Sequence, residues 1–264
     1  MFTMMNNARL AVGIQGLGVA ERAYQQALSY ALDRKQGRAP GETADGMSPI
    51  ARHPDIKRTL LAMKSRTQVA RAICYACAHA IDMSRIAESD ADKTFWSERA
   101  GLLTPFAKAI STDFGVEVAS LGVQVHGGMG YIEETGAAQH LRDSRIATIY
   151  EGTNSIQSMD LVLRKLPLSG GGHVRGFIAE LRQIADGVAS SNRPEFGATA
   201  ERLAGAIDEM QRVTDWIMEA QADGRVADVL AGATPYLRLA GLTFGASMLA
   251  KGALRSGPEN PAAA

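Results

Sequence analysis

The sequence lacks any excess of charge: 28 Lys+Arg balance 28 Asp+Glu, for a formal net charge of +0. A surface built for nucleic acid or anionic lipid needs clustered cations, so neither partner is expected. Long apolar runs are missing too. No stretch approaches the roughly 18 residues of a spanning helix, and "MFTMMNNARL" has neither the basic nor the cleavable apolar segment of a secretory leader. The chain therefore reads as cytoplasmic. Cysteine is scarce, with only Cys74 and Cys77, spaced C-x-x-C inside "ARAICYACAHAI". A zinc site would need a second ligand pair, and His79 is too close in sequence to supply a separate arm. Two small buried residues on a helix are expected there, and no metal site.

Strand alternation is also nearly absent, and what is present is helical period. Ile14, Leu17, Ala20, Tyr24, Leu28 and Leu32 keep one stripe from Leu10 onward. A Gly/Pro-rich loop follows over 36–53, with Arg34, Lys35 and Arg38 at its mouth. A second helix is expected from Pro54 to about Ala87 and a third from about Thr94 to Val125, interrupted at Pro105. After "HGGMGY" come a short helix near Ala137 to Asp143 and a last one from Asn154 to Lys165, stopped by Pro167. The expected fold is all-α, an antiparallel four-helix bundle over 1–167. "LPLSGGG", residues 166–172, reads as a linker to an additional helical domain over 173–256.

Three places carry polar residues that packing does not demand. "LDRKQGR" ends the first helix in cations, which complements the macrodipole or, through an arginine fork, holds a phosphate. "QVHGGMGY" has Gly127, Gly128 and Gly130, which permit either a tight turn or close approach of a ligand to backbone. "RDSRIATIYEGTNSIQ" sets Glu151 ahead of Thr153, Asn154 and Ser155, all capping residues, so Glu151 is either a helix-start acid or a displayed base.

Together these segments resemble the acyl-CoA dehydrogenases. "IYEGTNSIQ" is similar to the family's segment bearing the catalytic glutamate, and "QVHGGMGY" lies ahead of it at the family's separation. "YALDRKQGR" resembles the arginine segment after the first helix of the C-terminal bundle, and "NNARLAVGIQGLGVAERAYQQALSYA" resembles that helix. The resemblance covers about residues 1–167, and the long loop and extra helices look most like the subgroup that includes 3-methylmercaptopropionyl-CoA dehydrogenases.

The resemblance implies an FAD enzyme that forms an α,β double bond in an acyl-CoA thioester and passes electrons to an electron-transfer flavoprotein. Glu151 matches the base. Arg34 matches the arginine that holds the FAD pyrophosphate of a neighbouring subunit, which implies a homo-oligomer, a dimer or tetramer. Gln124, Gly127 and Gly128 match positions along the adenosine-diphosphate part, Thr153 and Asn154 positions at the flavin, and Arg9 one near bound acyl-CoA. Where many members carry an aromatic-glycine pair after the loop arginine, this chain has Gln36 and Gly37. Members also carry an N-terminal helical domain and a β-domain ahead of this bundle. The chain is thus expected to be a fragment or truncated product, inactive alone. The competing expectations are an inactive helical assembly module, distinguished by flavin retention, and a DNA-binding branch of the family, which the zero net charge opposes.

Overall fold

The computed structural model describes residues 2–43 and 45–256, with side chains from residue 5 onward. Among the described residues there is no strand, only an isolated antiparallel bridge between Lys35 and Pro49. Three long helices form the frame: α1 (Phe2–Asp33), α2 (Pro54–Ile86) and α3 (Asp90–His126), of 32, 33 and 37 residues. Pro54 opens α2 where a missing N–H costs nothing, and Ser89 caps α3 by accepting from the Asp92 N–H at 3.0 Å.

α3 does not break at Pro105. The helix runs through it, with Gly101 at the position whose carbonyl loses its donor and no Cβ to crowd the ring. The Thr104 hydroxyl donates to the Ala100 carbonyl at 2.7 Å one turn back, and packing on several sides holds the remainder.

α1 and α3 approach backbone to backbone. A Cβ on Gly13 would lie 2.3 Å from the Ala107 carbonyl oxygen and one on Gly16 2.6 Å from that of Ser111. Below this crossing Ala20, Ala23, Ala27 and Ala31 keep the α1 face small and buried. The 36–53 segment is pinned rather than loose. Gln36 N–H donates to Ser48 (3.0 Å), Ser48 N–H to Gly37 (2.8 Å) and Ile50 N–H to Arg34 (2.8 Å) before a 3-10 turn at Ile50–Arg52.

Beyond α3 lie the short α4 (Gly128–Tyr131), α5 (Ala137–Ala147) and α6 (Asn154–Asp160), the last continuing as a π-turn over Leu161–Lys165. Residues 166–172 are a fixed turn: Leu166 and Gly171 are buried, Ser169 and Gly170 take positive φ, and the Ser169 hydroxyl donates to Glu98 at 2.7 Å. Then come α7 (Gly172–Ser190), α8 (Thr199–Ala222) and α9 (Val226–Arg255).

These three helices share one apolar core with α2 and α3, in which Phe244 of α9 meets Phe106 of α3 and Phe177 of α7. Gly241 and Gly245 let α9 seat on Ile110 and Val69, where added Cβ atoms would approach to 2.5 and 2.3 Å. Buried Arg99 ties α3 to α7 through two bonds to Glu180 (2.8 and 2.5 Å), its guanidinium lying over the rings of Phe95 and Phe177. Cys74 and Cys77 sit in this core as free thiols, pushed by burial to about 11 and about 12, which keeps them neutral and unreactive. Among the described residues no group of His, Cys, Asp or Glu could hold a metal ion, and no helix is long and apolar enough to cross a membrane.

Candidate functional site

The two polar turns singled out by the sequence sit at separate stations along α3. At its C-terminal end, Gly127 reverses the chain with φ 62°, and the turn faces the loop after α1. Arg34, Gln36 and Gly37 from that loop, with Gln124, Gly127, Gly128 and Met129, line a groove of about 660 Å³. Its floor is the buried imidazole of His126, stacked on Tyr30 at 4.4 Å and bonded through Nδ1 to the Gly122 carbonyl at 2.7 Å. Four residues from two separate segments, Arg34, Gln124, Gly127 and Gly128, thus meet in one groove. A Cβ at Gly127 or Gly128 would meet nothing within 4 Å, so the turn stands open. The exposed Arg34 side chain has no partner among the described residues. A free guanidinium beside open backbone amides at a helix start suits a phosphate.

The second station is the turn between α5 and α6. Glu151 is exposed and adopts φ 55°, a left-handed conformation that a non-glycine residue holds only when its surroundings impose it. Those surroundings are visible. The side chain of buried Gln157 reaches back from α6 and donates through Nε2 to the carbonyls of Glu151 (3.3 Å) and Gly152 (3.2 Å). Thr153 caps α6, its hydroxyl accepting from the Ile156 N–H at 3.3 Å, while Tyr150 bonds Gln15 on α1. The Glu151 carboxylate itself makes no hydrogen bond or salt bridge among the described residues. Ile149 and Ile156, 47% and 44% exposed, flank it as a bare apolar rim.

Beneath the turn is a polar network that the sequence did not disclose. Asn154 accepts from Lys108 Nζ at 2.8 Å and donates through Nδ2 to Asp113 (2.7 Å), the Thr112 hydroxyl (3.0 Å) and the Ala109 carbonyl (3.3 Å). Lys108 is 0% exposed. Burial pulls its pKa down to about 8, with Arg9 adding to the fall and Asp113 and Glu151 opposing it. Burial raises the Asp113 carboxyl, which the Asn154 bond and the charges of Arg238 and Lys108 partly offset.

Two of the residues matched by resemblance bond to other residues of this chain. Asn154 spends both ends of its amide on Lys108 and α3. Arg9 is 8% exposed and points into the protein, paired with Asp160 at 2.9 Å, because an unpaired buried guanidinium is too costly to leave without a carboxylate. Neither partner could be read from the sequence, since Arg9 and Asp160 lie 151 residues apart. Lys108 had one local signal: it is the lone cation in the apolar run "LLTPFAKAI".

The molecule is therefore a helical-bundle domain that displays an unpaired acid on a strained turn and, about 18 Å away along α3 between Thr112 and Gln124, an arginine-glycine groove suited to phosphate. Residues 1–166 match the family model "Acyl-CoA dehydrogenase, C-terminal domain", and residues 177–263 match "Acetyl-CoA dehydrogenase C-terminal like". The chain belongs to the acyl-CoA dehydrogenase family.

Over 241 residues it is 44% identical to 3-methylmercaptopropionyl-CoA dehydrogenase of Ruegeria pomeroyi, covering 91% of this chain and 40% of that protein. A butyryl-CoA dehydrogenase of Syntrophomonas wolfei is 34% identical over 215 residues, covering 81% and 35%. Among solved structures, Caenorhabditis elegans ACDH-11 in complex with C11-CoA superposes with a TM-score of 0.75 at 20% identity, over 98% of this chain and 42% of that one. An acyl-CoA dehydrogenase complexed with FAD from Bacillus anthracis gives 0.74 at 19%, over 98% and 44%. At such identities these two likenesses show the fold alone. The chain spans 40% or less of the length of the two curated relatives named here.

Proposed function

We propose that this chain is the C-terminal part of an FAD-dependent dehydrogenase that oxidises an acyl-CoA thioester to the trans-2-enoyl-CoA, with Glu151 as the base that removes the α-proton. The observation that carries the reading is the Glu151 turn itself. A capping acid has no need of a left-handed backbone, whereas a base must be held out from its helix without partners that would compete for the proton. Bound FAD supplies the acceptor for the hydride leaving the β-carbon.

The chain's own residues do the rest. The Glu151 carboxylate receives the proton, and the apolar side chains of Ile149 and Ile156 offer a covering surface a rim from which water is excluded. Thr153, exposed at the start of α6, would contact the flavin, and Asn154 acts from behind by fixing that helix start. Arg34 with the turn at Gly127 and Gly128 would hold the pyrophosphate, and the exposed Gln124 amide would line the adenosine side. The two stations lie far apart on one bundle and serve different protomers of a homo-oligomer, so the exposed Tyr131 and Ile132 beside the groove become interface residues. The partner that takes up the electrons would be an electron-transfer flavoprotein. Residues 1–167 form the site-bearing bundle and 173–256 a second helical unit packed on it.

With one face of the cofactor site supplied, this chain alone does not retain FAD, because few contacts offset the entropy of immobilising it. A stoichiometric visible flavin spectrum surviving gel filtration would overturn that statement. The base is tested by Glu151→Gln in the complete polypeptide, followed by flavin bleaching in single turnover with excess acyl-CoA. A loss of about 10²–10⁴-fold is expected for removal of a general base, and bleaching within a few-fold of the parent rate would return Glu151 to a helix-start acid.

A further inference from the structure

We propose that Lys108 is a positioning residue for the Glu151 turn: its ammonium, buried beneath that turn, grips Asn154 and so fixes the start of α6 on which Glu151 stands. The inference rests on the reading of Glu151 as the base.

Packing does not call for a lysine here. The side chain is 0% exposed in the middle of α3, between Ala107 and Ala109, which are also buried. Methionine would fill the same slender space without bringing a charge out of water, and lysine is almost never fully buried without a partner. What lysine adds is an ammonium at the end of a four-carbon arm, long enough to span from the α3 backbone to Asn154 Oδ1 at 2.8 Å. That bond is charge-assisted, which makes it about twice as strong as a neutral one.

Asn154 turns the grip into geometry. Its amide is fixed at both ends, by Lys108 on the oxygen and by Asp113, Thr112 and Ala109 on the nitrogen, and its backbone N–H donates to the Thr148 carbonyl at 3.1 Å. Thr148 and Asn154 are therefore closed into a loop whose tip carries Glu151. Gln157 holds the same tip from the other side. A loop with left-handed φ at its tip relaxes unless it is held at both ends.

The charges around Lys108 come from each packed element. Arg9 of α1 repels it, while Asp113 of α3 and Glu151 on the turn attract it. Asp160 of α6 is occupied by Arg9, and Arg238 of α9 acts on Asp113. The balance leaves Lys108 protonated at neutral pH and able to release its proton near pH 8, which leaves the neutral, weaker hydrogen bond.

The test uses the complete polypeptide carrying Lys108→Met and, separately, Asn154→Ala. Amide hydrogen exchange in 152–157 is expected to accelerate by about tenfold or more in both variants while α1 and α2 exchange as in the parent. The flavin-bleaching rate should fall by about tenfold or more with acyl-CoA affinity held within about threefold. The parent rate should also decline through an alkaline limb near pH 8 that Lys108→Met lacks, a change that packing alone would not produce.

Unchanged exchange at 152–157, or an alkaline limb that persists in Lys108→Met, would overturn the proposal. Should Lys108→Met not fold, Lys108→Gln, polar but uncharged, takes its place in both the exchange and the pH measurement. Should Glu151→Gln bleach flavin normally, the base reading fails, whereas the exchange result still decides whether Lys108 clamps the turn.

Discussion

Gln157 lies under Glu151, its Nε2 3.3 Å from the Glu151 carbonyl and its Oε1 buried without a partner among the described residues. Half of this amide is thus used to hold a strained turn, and the other half is buried without a protein partner, which costs about 1–3 kcal/mol. Gln157→Ala removes both the hold and the orphan. Stability should change by less than about 1 kcal/mol in urea unfolding, while exchange of the Asn154 amide, which donates to Thr148 across the turn, quickens. A large stability loss with unchanged exchange would mean that Gln157 serves the core rather than the turn.

Glu151 itself should be exchangeable for glycine at a gain in stability. Left-handed φ costs a non-glycine residue about 1–2 kcal/mol, and the greater freedom of glycine in the unfolded chain gives back about 0.4–1 kcal/mol. Glu151→Gly is expected to raise stability by roughly 0.5–1 kcal/mol and, on the role proposed for Glu151, to abolish flavin bleaching by acyl-CoA in the complete polypeptide. A destabilised variant would show that the side chain makes contacts the backbone argument ignores.

How far the sequence disclosed this molecule depends on the range of the interactions. Helix boundaries were legible because they are local: Pro54 at the start of α2 and the glycines of "HGGMGY" act within a turn or two of themselves. The Arg34–Gly127 groove was legible only through resemblance, since nothing in either segment encodes that they meet. Pro105 misled because the rule that proline breaks a helix weighs the lost hydrogen bond and not the packing around α3. Lys108 stood out only as a lone cation in an apolar run, and Asp113 and Asp160 not at all, since their partners lie dozens of residues away or on other helices. The glycines of α1 likewise do not encode which helix packs against them.

Those glycines make a contrast pair. A Cβ on Gly16 would lie 2.6 Å from the Ser111 oxygen and 2.7 Å from the Thr112 Cα, both backbone atoms that cannot swing aside, whereas one on Gly18 would meet nothing within 4 Å. Gly16→Ala should cost at least about 1–3 kcal/mol by overpacking, lowering Tm by roughly 2–4 °C per kcal/mol for a chain of this size. Gly18→Ala, in an exposed helix interior, should instead gain up to about 1 kcal/mol. Thermal melts of the two variants should move in opposite directions. Equal shifts would show that α1 and α3 are not in backbone contact.

Lys108 makes stability depend on pH in a direction opposite to that of a lysine gaining a carboxylate partner. Its folded pKa of about 8 lies below the ordinary 10.5, so between these values the unfolded chain binds more protons than the folded one. Stability from this group therefore rises with pH across that window, and below about pH 8 the cost of burying the charge is fully present and flat. The expected gain is on the order of 2 kcal/mol from about pH 7.5 to about pH 9.5. Cys74 and Cys77 oppose it, because thiols held at about 11 and about 12 favour unfolding once free thiols ionise above about pH 9. Comparing the parent with Lys108→Met by urea unfolding at both pH values cancels that contribution. The parent should gain on the variant as pH rises, and a difference that stays constant would show that Lys108 is not held as a buried cation.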